Sequence, residues 1–126
     1  MFAVSLNKME LRTNIMSTKF TTVGVDTTGT SFQGYVTCSY ATLCEVFGTP
    51  MDGDGNKTRA EWEGKTSDGT VFTIYDWKEF QDIRDVTEWY IGGQNKKSVD
   101  VVLDILSEHL GDLSKYAVRV NPFEIF

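Results

Sequence analysis

The chain has 126 residues, 40% of them hydrophobic and 13% aromatic, and a formal net charge of −6. That length and apolar content suffice for one domain with its own core and argue against a disordered chain. The acidic balance argues against a binder of nucleic-acid backbone, which needs clustered Lys and Arg to release counterions, and suits a surface that meets a basic partner.

In chain order, residues 1–15 carry Lys8 and Arg12 against Glu10 without strong periodicity and lack the apolar core of a signal peptide. They are expected to form a peripheral extension, with Met16 a natural start and residues 16–126 a single domain. Lys19 to Val25 is rich in Thr, Val and Phe and predicts a strand. After the turn at residues 26–30, Ser31 to Thr37 alternates as a second strand, with Gly34 as a candidate bulge. Ser39 then suits an N-cap, because Tyr40, Leu43, Cys44 and Phe47 fall at helical spacing before Gly48 and Pro50 stop the helix. Cys38 and Cys44 are the only cysteines, too few for a secreted disulfide framework, so both are expected to be reduced in a cytosolic setting. No run of about 18 apolar residues is present to span a membrane.

Met51 to Asn56 is a polar, glycine-rich loop. Thr58 to Lys65 and Thr70 to Trp77 flank Ser67-Asp68-Gly69, a hairpin signal. Glu79 to Val86 is charged and irregular, with room for one helical turn, and Thr87 to Ile91 predicts another strand. The best helix runs from Lys96 to Leu110, with Gly111 just past its end. The tail, residues 112–126, has room for a last strand. The expected architecture is an α+β two-layer domain: a mostly antiparallel sheet of four to five strands with two helices on one face.

Several residue groups carry possible chemistry. On the long helix, Val99, Val102, Leu103, Leu106 and Leu110 make an apolar face, and the 3.6-residue period sets Asp100, Asp104 and Glu108 on the remaining strip, with Asp112 beyond. Like charges four apart cost a few tenths of a kcal/mol, so an unrelieved row is either a solvated face or a surface for a basic partner. Asp82, Asp85 and Glu88 lie just upstream and are expected to enlarge it. The loop Gly92-Gly93-Gln94-Asn95-Lys96-Lys97-Ser98 joins a strand to a helix N-terminus, where free N–H groups and the dipole favour anions. It lacks the spacing of a Walker loop, and Asn95 as N-cap accounts for it without a ligand.

Asp52, Asp54, Asn56 and Glu63 match positions of a calcium loop, but Lys57 stands where the sharp turn needs glycine. His109 is the single histidine, which rules out a triad or a zinc site built on several. Asp76, between Tyr75 and Trp77, comes closest to a carboxylate in apolar surroundings. Neither catalysis nor a metal or other cofactor is expected. Trp62, Tyr75, Trp77, Trp89 and Tyr90 concentrate in the central strands, some for the core and some for the open sheet face, where aromatics serve as partner anchors.

GTSFQGYV (residues 29–36), the Tyr-x-x-Leu-x-x-Val-Phe-Gly-x-Pro run ending at Pro50, TVFTIYDWK (residues 70–78) and WYIGGQN (residues 89–95) resemble segments of a group of small uncharacterised phage-encoded proteins. The likeness covers roughly Thr21 to Leu106, and its motifs have no assigned chemistry. It implies a small protein acting in the cytoplasm of an infected bacterium. The expected role is a counter-defence inhibitor of the anti-CRISPR type. Its acidic helix face would occupy the basic groove of a host defence protein, with no direct nucleic-acid binding, no membrane, and a homodimer left open. The alternative is a sponge for a small nucleotide signal, held at the Gly92–Ser98 loop with Trp77 or Trp89 stacked on the base.

Overall fold

The computed structural model describes residues 19–55 and 57–110. The extension 1–15, Met16, Asn56, the Gly111 stop, Asp112 and the remaining tail lie outside the described residues. The elements are β1 (Phe20–Thr21), β2 (Ser31–Thr37), α1 (Tyr40–Phe47), β3 (Met51–Asp52), β4 (Ala60–Thr66), β5 (Val71–Tyr75), a 3-10 turn (Ile83–Asp85), β6 (Glu88–Gly93) and α2 (Lys97–Leu110).

All strand pairings are antiparallel, in the order β1-β4-β5-β6-β2. The fold is α+β, an open antiparallel sheet with two helices. The sheet has six strands rather than the expected four or five, because two short segments share the outer edge of β4. β1 pairs with Lys65 and Thr66, and β3 with Ala60 and Glu61. The predicted first strand stops at Thr21, and Met51-Asp52, expected in a loop, is a strand. Edge coverage of this kind blunts a row of unpaired backbone groups.

Local chemistry explains the elements that were foreseen. The Ser39 side chain accepts from Thr42 N at 3.1 Å, and Gly48, at φ +92°, donates to Cys44 O at 2.8 Å, so α1 begins and ends on its own caps. The β4–β5 hairpin closes through Thr66 N to Thr70 O at 2.9 Å, and Gly69 supplies φ +93°. The irregularity in β2 falls between Phe32 and Gly34 as a register shift against β6.

Register divides the sheet into two faces. Trp62, Phe72, Ile74, Trp89, Ile91 and Val36 point to one side and join Leu43 and Phe47 of α1 and Val99, Val102, Ile105 and Leu106 of α2 in a single core. Burial of each large side chain contributes about 1.5–3 kcal/mol. The two core indoles are satisfied: Trp62 Nε1 donates to Gly48 O at 2.8 Å and Trp89 Nε1 to Cys38 O at 2.9 Å. Cys38 is buried as well, and burial pushes its thiol up to about 12. Cys44, read as part of the buried stripe, is only half-buried.

The N-terminus of α2 is fixed to the sheet at one point. Ser98, 1% exposed, donates from Oγ to Val71 O at 2.7 Å and lies over Gly93 of β6. A Cβ at Gly93 would collide with the Ser98 side chain. Gly93→Ala is therefore expected to lower stability by about 1–3 kcal/mol, read as a reduced denaturation midpoint. An unchanged midpoint would show that α2 does not approach β6 this closely.

Candidate functional site

Three surfaces received candidate residues from sequence. On α2, Asp100, Asp104 and Glu108 are all exposed, on successive turns opposite the buried Val99, Val102 and Leu106. Burial and then the negative charges of Glu108 and Asp100 hold the Asp104 carboxyl above its ordinary range. Neither Asp100 nor Asp104 forms an ion pair among the described residues. At the far end of α2, His109 Nε2 meets Glu45 Oε2 at 2.8 Å and ties the helix to α1.

The expected enlargement of this strip needs correcting. Glu88 alternates with the buried Trp89 and Ile91, so it shares the opposite sheet face with Tyr90. Asp85 sits in the 3-10 turn, and Asp82 is engaged by Arg84 at 2.6 Å, which holds its carboxyl well below the usual range. Asp112 lies outside the described residues.

The Gly92–Ser98 segment is bound up in the protein's own contacts. Gly92 and Gly93 belong to β6 rather than to a loop. Asn95 Oδ1 accepts from Lys97 N at 2.8 Å, and Gln94 Nε2 donates to Thr28 O at 3.2 Å. Lys97 Nζ pairs with Asp68 at 2.8 Å, and that contact, with hydrogen bonds from Thr66 and Thr70, holds the Asp68 carboxyl well below the usual range. Lys96 is exposed just before α2. Trp89, offered as a stacking platform, is fully buried against Trp62 and Tyr40. The glycines serve close packing here, and the first amides of α2 are met by Asn95 and Lys96.

Asp76 is buried for a structural reason. Its Oδ1 accepts from the backbone N–H of Arg59 at 2.8 Å and of Ala60 at 3.0 Å, and Arg59 Nε reaches Oδ2 at 3.4 Å. The carboxylate closes the start of β4 onto the end of β5. In the calcium-like loop, Asp54 Oδ1 instead accepts from Lys57 N at 2.8 Å and Thr58 N at 3.0 Å.

The third surface is the sheet face away from the helices. Phe32, Tyr35, Tyr90, Tyr75 and Trp77 form one continuous half-buried patch there. Ring centroids lie 4.9 Å apart for Tyr35–Tyr90, 5.8 Å for Tyr75–Tyr90 and 6.4 Å for Tyr75–Trp77. Glu61 and Glu63 of β4 continue this face, directly opposite Tyr75 and Thr73. Between the Tyr75 and Trp77 end of the patch and the 27–31 and 54–58 segments lies a concavity of about 360 Å³, with Glu61, Thr73 and Gly92 in its lining. Burial, then Glu63 and Asp54, raise the Glu61 carboxyl above its ordinary range. Burial, followed by Glu61 and Tyr90, pushes the Tyr75 hydroxyl up to about 12. Sequence reasoning named Tyr75, Trp77 and Tyr90 but missed Glu61 and Thr73. The hairpin register through Asp68-Gly69 is the signal that would have set them on the same face.

No protein-family model matches the chain, and neither curated proteins nor solved structures give a match.

A raised folded-state value means that Glu61 binds its proton more tightly in the fold than in the unfolded chain. That stabilisation is complete below the ordinary carboxylate range, about pH 4, and is lost as pH rises through the folded value. At neutral pH the ionised Glu61 thus weakens the fold. Glu61→Gln is expected to raise the melting temperature at pH 7, with the gain shrinking towards pH 4. An equal gain at both pH values, or a loss at pH 7, would contradict this.

Proposed function

We propose that the protein is a non-catalytic binding protein that occupies a basic surface of another protein with the acidic strip of α2. One observation carries the reading: Asp100, Asp104 and Glu108 stand in an exposed row on successive turns of α2, and neither Asp100 nor Asp104 forms an ion pair among the described residues. A row that weakens its own helix by a few tenths of a kcal/mol per pair recovers that cost when a cationic surface covers it. Complementary charge of this kind speeds association and selects the partner. A groove built for nucleic acid, lined with Lys and Arg, is a basic surface of the kind this row would suit. The likeness to small phage-encoded proteins supports taking the partner as a bacterial defence protein and the action as inhibition of the anti-CRISPR type.

The test is affinity capture from a bacterial lysate containing a CRISPR effector, with the immobilised protein as bait. The reading expects a basic nucleic-acid-binding protein to be retained at about 0.05 M salt and released by about 0.5 M, as screening shortens the range of the charges. It also expects Asp100→Lys/Asp104→Lys to abolish retention. Retention indifferent to both salt and charge reversal would contradict it.

A further inference from the structure

The concavity on the open sheet face is lined by hydroxyls rather than by apolar side chains. Five of its ten lining residues are Ser or Thr, and two, Tyr75 and Trp77, are aromatic. Pockets for apolar molecules have the reverse composition, so this lining calls for a polar ligand. The protein itself holds several of these groups in place. Thr30 Oγ1 donates to Thr27 O at 2.8 Å, and Thr58 Oγ1 accepts from Asp54 N at 2.9 Å. Gly92 keeps the floor clear, since a Cβ there would collide with Thr73 Oγ1.

Charge at the cavity selects against an ion of either sign. Asp54 and Glu61 place carboxylates in the lining, while Lys57 Nζ and Lys78 Nζ each lie 5.6 Å from the centroid of the Trp77 ring. Lys78 reaches this place at φ +56°, the one positive φ at a non-glycine residue among the described residues. Its backbone N–H donates to Lys57 O at 2.7 Å, which joins the two lysine-bearing segments at one wall. A cation would be repelled by the lysines and an anion by the carboxylates. A neutral ligand rich in hydroxyls meets no such conflict, because each hydroxyl both donates and accepts. It gives its proton to a carboxylate and takes one from an ammonium or a protein hydroxyl, and the bonds to charged groups are the stronger ones.

We propose that this cavity binds a neutral carbohydrate as a single pyranose unit. Glu61 accepts from ring hydroxyls, and the Thr27 and Ser31 hydroxyls complete the polar contacts. The Tyr75–Trp77 wall meets the apolar C–H face that a pyranose presents between its equatorial hydroxyls. A volume of about 360 Å³ lies at the small end of the range for ligand pockets, roughly 300–1,000 Å³, which suits one sugar ring rather than a long chain. The site lies on the opposite layer from Asp100 and Asp104 and stands whether or not the α2 strip binds a partner.

Trp77 is the reporter, since it lines the cavity while Trp62 and Trp89 are buried in the core. Its indole N–H signal is followed by NMR while the full chain is titrated separately with six sugars. Four are neutral: the methyl pyranosides of glucose, galactose and mannose, and N-acetylglucosamine. Glucosamine is the cationic counterpart and glucuronate the anionic one. A saturable shift is expected with at least one neutral sugar, with a Kd on the order of 1 mM, and neither charged sugar should bind more tightly than the neutral ones. Glu61→Ala and Ser31→Ala, each verified as folded by its unchanged core signals, should weaken binding, the former by about tenfold and the latter by about threefold. No saturable shift with any of the four neutral sugars, tighter binding of glucosamine or glucuronate, or undiminished binding by either variant would overturn the proposal.

Discussion

The approach of α2 to β6 depends on a missing side chain. Gly93 leaves room for Ser98, and the Ser98 hydroxyl converts that proximity into a hydrogen bond with Val71 O. Because the first turn is pinned there, the helical period carries Val99, Val102 and Leu106 into the core and turns Asp100, Asp104 and Glu108 to solvent. α1 lies on the same side through Leu43 and Phe47, so Phe32, Tyr35, Tyr75 and Tyr90 remain on the side without helices. The α2 strip follows from this contact, and the aromatic face from strand register.

Charge is distributed unevenly around that frame. Several cations are already engaged: Arg59 by Asp76, Arg84 by Asp82, Lys97 by Asp68, and Lys57 and Lys78 by the Trp77 ring. The exposed ion pairs among these add little to stability, and the two lysines over the Trp77 ring keep their charge. Negative charge gathers most clearly on the outer strip of α2, where no Lys or Arg stands between Asp100 and Glu108. Under the proposed reading, such a strip would gain selectivity for a cationic partner at a modest cost to the fold.

The parts of this fold that sequence made legible are those governed by neighbours in the chain. Ser39, the helical spacing of Tyr40, Leu43 and Phe47, and Gly48 define α1 locally, and Asp68-Gly69 defines the hairpin. The parts it hid depend on distant partners. β3 is two exposed residues that become a strand only because β4 offers an edge. Gly92-Gly93 looks like a loop by propensity, but Thr73 and Ser98 need those side chains absent, and tertiary contact overrides the local preference. Glu88 neighbours the α2 acids in the chain, but strand alternation sends it to the other face. The cavity left no local signal, since its lining comes from four separate stretches of chain.

The central claim is that both helices cover one sheet face and leave the aromatic patch on the other. A nuclear Overhauser spectrum of the folded chain tests it most directly. The account predicts cross-peaks between Gly93 Hα and Ser98 Hβ, between the Trp62 and Trp89 rings, and between the Trp77 and Tyr75 rings. Cross-peaks from the Tyr90 or Trp77 ring to the valine and leucine methyls of α2 would contradict it.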